Sequence, residues 1–142
     1  MIKHITESEA LYFVSQQNHK DEWHKDFYYW KKHLIALKNW PWLRKFYKGS
    51  GKWLGHFDNL ELNGVYWYNL QQNEMYDGFL ISSKIGVGIK LGRWLEKNVK
   101  FNKNWSCCDR KYVKFNERLG FEIKSIDDIE GREVFLLCRE KY

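Results

Sequence analysis

This 142-residue sequence lacks long apolar segments and internal repeats, and it is poor in proline. No apolar run comes near the ~20 residues that a membrane-spanning helix needs. The N-terminal segment lacks the apolar core and cleavage site of a signal peptide, which favours a cytoplasmic location and no membrane partner. Proline occurs once, and no low-complexity linker divides the chain, so we expect a single domain over residues 1–142.

Cysteine is also scarce, and its placement argues against two common kinds of chemistry. Cys107 and Cys108 are adjacent and Cys138 is distant, so at least one thiol stays unpaired and we expect all three to be reduced. The sequence has no CxxC motif, which gives zinc binding and thioredoxin-like activity little support. His19 and His24 are five positions apart, unlike the spacing of HExxH. We therefore predict no metal site.

Aromatic residues and positive charge, by contrast, are abundant. Aromatics make up 18% of the chain, including eight Trp, and 44% of the residues are hydrophobic, which is enough to bury a core. The net charge of +6 favours anionic partners such as phosphates. The lysines are spread along the chain rather than concentrated in one arm, so nucleic-acid binding is not favoured. It stays open as an alternative that rests on charge and aromatic content alone.

The first part of the chain carries helical signals after one short alternating segment. "MIKHI" predicts a strand, and Thr6 with Glu9 three residues later forms a capping box, which predicts the start of a helix. A second helix is predicted over "DEWHKDFYYWKKHLIALKN", and Pro41 breaks or restarts the helical pattern. The apolar stripe of this second helix consists of Trp23, Phe27, Trp30, Leu34 and Leu37.

The rest of the chain alternates strands with two further helices. "KWLGHF", "NGVYWYNL" and "EMYDGFLIS" predict an antiparallel meander with turns at Asp58-Asn59, Asn63-Gly64 and Gln72-Asn73. "GIKLGRWLEKNV" predicts a helix, "FNKNWSCC" a strand, "DRKYVKFNERLG" a helix, and the last residues a hairpin. The order β-α-α-β-β-β-α-β-α-β-β predicts an α+β fold, in which helices flank a mixed, mostly antiparallel central sheet.

One strand-to-helix connection carries the strongest chemical signal, the segment "LISSKIGVGIKLGRWLEK" at residues 80–97. A helix N-terminus exposes unpaired N–H groups and partial positive charge, and glycines ahead of it let the backbone approach a phosphate. Gly86 and Gly88 fit this role, and Lys84 and Lys90 add positive charge. The loop lacks the Gly-Lys-Ser/Thr of a Walker loop and the third glycine of GxGxxG. From the residues alone, a tight turn therefore remains the alternative.

This loop, taken with the later segment "DRKYVKFNERLGF", resembles the GNAT superfamily of acyl-CoA-dependent N-acyltransferases. In that family a Q/R-x-x-G-x-G/A loop after the fourth strand binds the pyrophosphate of coenzyme A. Residues 83–88 match it, except that Ser83 replaces Gln or Arg. The later segment resembles the family's N-x-x-A-I-x-F-Y-x-K-L-G-F helix, and we expect Asp109 to be its N-cap. More loosely, the replacement of several motif residues resembles the pattern in small phage-encoded GNAT-like proteins.

The resemblance implies a three-layer GNAT-like fold and acetyl-CoA as co-substrate, without a metal. Asp109 stands where the family often has an asparagine that contacts the pantetheine arm. Backbone groups of the fourth strand and of the loop bind the rest of the cofactor in the family. The positions that the resemblance assigns to these groups are Phe79, Leu80, Ile81, Lys84, Ile85, Gly86, Val87, Gly88 and Ile89.

The resemblance is weakest at the catalytic positions. Asn116 stands where a tyrosine often protonates the departing thiolate, and an amide cannot donate a proton as a phenol does. Tyr112, one helical turn earlier, is the candidate substitute. The family's base is often a glutamate on the fourth strand, for which we prefer Glu74. Asp77 is the alternative, and its odd separation from Glu74 places the two on opposite faces of a regular strand.

Two functions follow from the resemblance. The first is transfer of an acetyl group from acetyl-CoA to an amine, which could be a protein lysine, an N-terminus or a small molecule. The second is a catalytically degenerate GNAT-like protein that serves as a binding or assembly module. Small domains of this family often pair, so a homodimer is an assembly that the resemblance allows.

Overall fold

The computed structural model describes residues 1–17, 39–48, 51–129 and 131–140 of the chain. Almost all of the second predicted helix, including its aromatic stripe, lies outside these described residues. Contacts divide the chain into two compact units. Unit 1 consists of Met1–Asn69 and Gly78–Lys100, and unit 2 of Leu70–Asp77 and Phe101–Tyr142.

Seven strands and four α-helices account for most of the described residues. The strands are β1 (Ile2–Ile5), β2 (Lys52–Asp58), β3 (Glu61–Gln71), β4 (Glu74–Ser82), β5 (Lys103–Cys108), β6 (Glu122–Ile129) and β7 (Arg132–Glu140). The helices are α1 (Glu7–Ser15), α2 (Pro41–Tyr47), α3 (Val87–Asn98) and α4 (Val113–Arg118), with a 3-10 turn at Arg110–Tyr112.

The strands form one mixed sheet in the order β1-β2-β3-β4-β5-β7-β6. The β4–β5 pair is parallel, whereas β1–β2, β2–β3, β5–β7 and β6–β7 are antiparallel. This arrangement confirms the predicted α+β class with a mixed, mostly antiparallel sheet. Strand β4 contributes its first residues to unit 2 and the remainder to unit 1.

Unit 1 owes its core largely to aromatic side chains on the meander. Trp67 on β3 is almost fully buried and stacks on Tyr47 at the end of α2, with ring centroids 6.3 Å apart. A Cβ atom at Gly78 would lie 2.1 Å from the Trp67 ring, so only glycine fits there. Trp53 packs edge-on against Phe79 at 5.8 Å. Part of the unusual tryptophan content is therefore used for packing.

Unit 2 has a smaller core between β5, β7 and α4. The cluster of buried residues consists of Cys108, Val113, Phe121, Phe135 and Leu137. Strand β4 joins this unit through a short parallel ladder, whose register runs from Glu74↔Lys103 to Tyr76↔Trp105. The ladder thus involves only the first part of β4, before the strand continues into unit 1.

The local signals in the sequence are mostly confirmed, with one correction. Thr6 and Glu9 form the predicted capping box, in which each side chain accepts a hydrogen bond from the backbone N–H of the other residue. The predicted turn at Gln72-Asn73 is present, with positive φ at both residues. The turn predicted at Asn63-Gly64 is wrong, because β3 already begins at Glu61.

The N-cap residue predicted from the sequence, Asp109, is confirmed. It occupies the N-cap position of the 3-10 turn, but its side chain makes no capping hydrogen bond. Its carboxylate instead accepts hydrogen bonds from Arg132, whose Nη2 lies 3.2 Å from Oδ1. The long-range ion pair therefore takes the place of a capping hydrogen bond.

Candidate functional site

The loop between β4 and α3 in unit 1 turns sharply at Gly86. This residue is the N-cap of α3 and has φ 87° and ψ −13°, in the left-handed region that favours glycine. An added Cβ would meet nothing within 4 Å, so the space beside this residue is open. The Lys90 N–H donates to the Gly86 carbonyl at 3.2 Å and closes the first turn of the helix.

The N-terminal end of α3 has the electrostatic character of an anion site. No side chain caps this end, and the first turn contains no acidic residue. The first N–H groups of a helix have no intrahelical acceptor and carry the positive end of the helix dipole. The predicted loop residues therefore stand in a backbone geometry that suits a phosphate group.

The first residue of the loop, Ser83, is hydrogen-bonded to a β-bulge in β3. The register pairs His56 with Gly64 and Phe57 with Leu62, which leaves Asn63 as the additional residue. The Asn63 carbonyl accepts hydrogen bonds from both the N–H of Ser83, at 2.9 Å, and its Oγ, at 3.2 Å. The first residue of the loop is thus attached to the bulge.

The side chain of Asn63 is buried and forms hydrogen bonds with two side chains of β2, Asp58 and His56. Its Nδ2 donates to Asp58 Oδ2 at 2.8 Å. Its Oδ1 then faces His56 Nδ1 at 2.5 Å, so the imidazole is the donor in that bond. His56 is 5% exposed and Asn63 1% exposed, so the loss of either partner would leave a polar group buried without a partner.

Asp58 connects this network to Lys84, the lysine of the loop. Lys84 Nζ lies 3.1 Å from Asp58 Oδ2, and both side chains are about half exposed. The pKa of the Asp58 carboxyl is lowered, chiefly by the hydrogen bond from Lys84 and further by the charge of Lys84 and the hydrogen bond from Asn63. Lys84 is therefore not a freely extended cation but is held beside the loop by a carboxylate.

The other residues that the resemblance assigns to the cofactor fall into two groups, those with buried side chains and those with exposed ones. Phe79 and Ile81 point into the core of unit 1, and Leu80 between them is 42% exposed on the opposite face of β4. Ile85 at the tip of the loop is fully exposed, and Ile89 in the first turn of α3 is 41% exposed. Val87 is buried, and an added Cβ at Gly88 would lie 3.2 Å from Leu80. The loop therefore presents apolar side chains as well as backbone N–H groups.

The two candidate bases lie in unit 2 and have different partners. Glu74 Oε1 accepts a hydrogen bond from Trp105 Nε1 at 3.1 Å. Asp77 Oδ1 accepts one from Asn104 Nδ2 at 2.9 Å. Trp105 and Asn104 are neighbours on β5 and face opposite sides, so Glu74 and Asp77 do so as well.

The candidate acid Tyr112 ends the 3-10 turn before α4 in unit 2, and Asn116, at the family's tyrosine position, lies within α4. Tyr112 is 44% exposed, and its carbonyl accepts a hydrogen bond from Asn116 Nδ2 at 3.0 Å. The same amide nitrogen lies 3.6 Å from Cys108 Sγ. Burial raises the pKa of the Cys108 thiol to about 11, and the hydrogen bond from Asn116 acts in the opposite direction. Asn116 therefore contacts a neutral thiol at the end of β5.

The part of the chain that the structure describes contains neither a membrane-spanning helix nor a metal-binding cluster. None of its helices is long and apolar enough to cross a membrane. No group of three or more His, Cys, Asp or Glu in the same part of the chain is arranged to hold a metal ion.

Solved structures that match the fold of this chain include acetyltransferases. A protein from Desulfovibrio desulfuricans that is assigned to the GNAT family of acetyltransferases is 13% identical, with a TM-score of 0.67 over 99% of this chain and 98% of its own. The ribosomal-protein-S18-alanine N-acetyltransferase of Escherichia coli is 15% identical, with a TM-score of 0.67 over 99% and 92%. The spermidine/spermine N-acetyltransferase SpeG of Vibrio cholerae, in mutant form, is 12% identical, with a TM-score of 0.60 over 99% and 94%.

No protein-family model matches the sequence, and no curated protein matches it either. The likeness to the solved structures extends over nearly the whole chain, so the chain has the GNAT fold. At these identities the likeness shows the fold alone. The residues that the sequence motifs did not indicate are His56, Asp58 and Asn63, which lie outside the family's loop pattern and are brought to the loop only by the pairing of β2 with β3.

Proposed function

We propose that this protein binds acetyl-CoA through the loop of residues 83–88 and transfers the acetyl group to an amine. The observation that carries the proposal is the conformation of Gly86. This residue has a left-handed backbone and open space beside it, and it stands directly before a helix N-terminus that no side chain caps. The fold supports it, since proteins of known structure with this fold include N-acetyltransferases. The loop residues also fit a pyrophosphate, because their N–H groups and Lys84 supply positive charge and the first turn of α3 has no carboxylate.

Bound acetyl-CoA would supply an activated acetyl group as a thioester. The N–H groups at the start of α3 would bind its pyrophosphate, and Lys84 would add a positive charge while Asp58 holds it in place. The apolar side chains of Leu80, Ile85 and Ile89 would cover uncharged parts of the same molecule, since all three are exposed beside the loop. Backbone groups of residues 79–81 would bind the pantetheine arm.

In unit 2 we assign Glu74 the role of base, acting directly or through water, and retain Tyr112 as the candidate acid. Asn116 would donate a hydrogen bond, because an amide does not release a proton. Asp109 would serve the pantetheine arm through the geometry that Arg132 imposes on its carboxylate. The acceptor is an amine of unassigned class. The solved structures with this fold include enzymes named for a protein alanine and for polyamines, so the fold does not select one.

A second candidate is a GNAT-like binding or assembly module without catalysis. It is favoured by Asn116, whose amide is already engaged by the Tyr112 carbonyl and lies near the Cys108 thiol. A module of this kind could still bind coenzyme A. The two candidates therefore differ in acetyl transfer and not in cofactor binding.

Calorimetric titration with acetyl-CoA tests the cofactor site, with Gly86→Glu as the disabling variant. The added carboxylate would occupy the open flank and repel the pyrophosphate, so binding should be lost. Gly131→Glu is the matched control, because Gly131 has φ 86° and also nothing within 4 Å of an added Cβ, but lies in the β6–β7 turn of unit 2. Both variants carry the same charge and a similar backbone penalty.

The outcomes separate the candidates. Binding by wild type and Gly131→Glu, with none by Gly86→Glu, supports the cofactor site. No heat with the wild-type protein refutes it. A subsequent assay by mass spectrometry would offer an N-terminal peptide, a lysine peptide and a polyamine. Acetylation of one of them supports the transferase, whereas binding without any acetylation supports the module.

A further inference from the structure

The Asn63-Gly64 pair, for which the sequence predicted a turn, lies in β3 and contacts both ends of the loop. The Asn63 carbonyl holds Ser83 at the start of the loop through two hydrogen bonds. At the other end, an added Cβ at Gly64 would lie 2.4 Å from Val87 Cγ1, so the first turn of α3 rests on this glycine. Two adjacent residues thus fix both the first residue of the loop and the helix that follows it.

We infer that Asn63 is a positioning residue for the phosphate-binding loop. It acts on Ser83 through its backbone and on Lys84 through the carboxylate of Asp58. This inference rests on the proposed function, since it assigns the loop to coenzyme A. It goes beyond that function because no residue of β3 belongs to the loop motif.

The hydrogen bonds of Asn63 explain why asparagine is required. The residue must donate to Asp58 and accept from His56 at the same time, and a primary amide does both. Aspartate would accept from His56 but would face Asp58 with a second negative charge. A leucine of similar size would leave the buried imidazole N–H without its partner and release Asp58 to move with Lys84.

The position of the positive charge of Lys84 beside the loop depends on the same hydrogen bonds. Asp58 accepts from Asn63 and Lys84 through the same oxygen, so the asparagine fixes where the carboxylate holds the lysine. Lys84 Nζ is then held at Asp58 instead of sampling the rotamers of a free surface lysine. Ordering of this kind before binding reduces the entropy that the ligand must otherwise overcome.

The test compares Asn63→Leu with Asn69→Leu. Asn69 lies on the same strand, is 5% exposed, and donates through its amide to the carbonyls of Lys45 and Lys48 in and after α2. Both variants lose buried amide hydrogen bonds, so both should melt at a lower temperature. Only Asn63→Leu should weaken coenzyme A binding, by about tenfold, the equivalent of one lost anchoring interaction.

Hydrogen exchange provides a readout that does not need the ligand. Asn63→Leu keeps the backbone carbonyl that accepts from Ser83, but it removes the side-chain hydrogen bonds that hold the bulge in place. The Ser83 amide should therefore exchange faster in Asn63→Leu than in Asn69→Leu, relative to the global stability of each variant. Ser83→Ala is the milder variant in case Asn63→Leu fails to fold. This side chain is exposed, and removing its Oγ should weaken coenzyme A binding by roughly threefold with little change in melting temperature.

The results distinguish this inference from the proposed function. If wild type binds coenzyme A and Asn63→Leu binds it equally well, the positioning role is refuted and the cofactor site stands. Equal weakening in Asn63→Leu and Asn69→Leu also refutes it, since the effect is then general destabilisation. If wild type does not bind, the proposed function fails. Unchanged exchange at Ser83 in Asn63→Leu would then refute the anchoring as well, and faster exchange would support it.

Discussion

Replacing Gly64 by alanine should destabilise the protein, because the added methyl group has no room beneath the first turn of α3. The Cβ would lie 2.4 Å from Val87 Cγ1 and 3.3 Å from the Cβ of Ser82. Carbon atoms in contact are ordinarily about 3.5–4.0 Å apart. Val87 is 3% exposed, and a β-branched side chain in a helix has one strongly preferred rotamer. The helix turn itself must therefore shift.

The size of this effect follows from the cost of overpacking a core, which is about 1–3 kcal/mol. For 142 residues, an unfolding entropy of ~2.1 cal/mol/K per residue gives about 0.3 kcal/mol/K. The melting temperature should therefore fall by about 3–10 °C, as measured by circular dichroism. Gly92→Ala is the control, because a Cβ there meets nothing within 4 Å. It should raise stability by up to about 1 kcal/mol, since alanine is the better helix former.

A double-mutant cycle identifies the contact responsible. Val87→Ala removes the methyl group that Gly64→Ala would strike, so the second substitution should cost much less in that background. We expect a coupling energy of about 1 kcal/mol or more. Coenzyme A affinity should fall in Gly64→Ala and partly recover in the double variant, because the helix turn can return to its place. Equal costs of Gly64→Ala in both backgrounds would refute the reasoning.

Two further predictions concern titratable groups. Lys84→Met should raise the pKa of Asp58 toward its ordinary value, because the hydrogen bond from Lys84 is the largest cause of its lowering. The folded pKa is the lower one, so the stabilisation by this ion pair is complete above the unfolded pKa and is lost as pH falls through the folded value. Carboxyl NMR titration measures the pKa of Asp58 in the wild type and in Lys84→Met. An unchanged pKa in the variant would contradict the assignment of Lys84 as the main cause of the lowering. The Cys108 thiol, with a pKa of about 11, should react with iodoacetamide at pH 8 at least about a hundredfold more slowly than a free cysteine, and rapid labelling of the native protein would contradict its burial.

Those features that depend on neighbouring residues could be predicted from the sequence. The capping box at Thr6 and Glu9 needs only a helix and three residues of spacing, and the structure contains it. The element order around the loop follows from a change of hydrophobic period, and this order was enough to predict the α+β class with a mixed sheet. The three-layer GNAT-like arrangement was predicted from the resemblance to that family. Gly86 was singled out because the two glycines come between a strand and a helix.

Features that depend on distant residues could not be predicted in the same way. Asn-Gly is a strong signal for a hairpin turn. The chain turns at Asn59 and Leu60, both with positive φ, one residue from the turn that was also predicted at Asp58-Asn59. The glycine of the Asn-Gly pair is required by Val87, which is remote in sequence. The N-cap position of Asp109 was predicted from local signals and is confirmed, but the pairing of its carboxylate with Arg132 on β7 depends on a distant residue and could not be predicted.

The replacement of tyrosine by Asn116 does not by itself decide between the transferase and the module. A thiol has an ordinary pKa of about 8.5, so a departing thiolate is a good leaving group near neutral pH and water can protonate it. General acid catalysis typically contributes about 10²–10⁴-fold, which is a part of an enzyme's acceleration and not the whole. Without a phenol, a bound thioester held close to an amine would still react faster than in solution, because proximity alone lowers the barrier. A slow but measurable transfer is therefore what the transferase hypothesis predicts, and only transfer at the uncatalysed rate would favour the module.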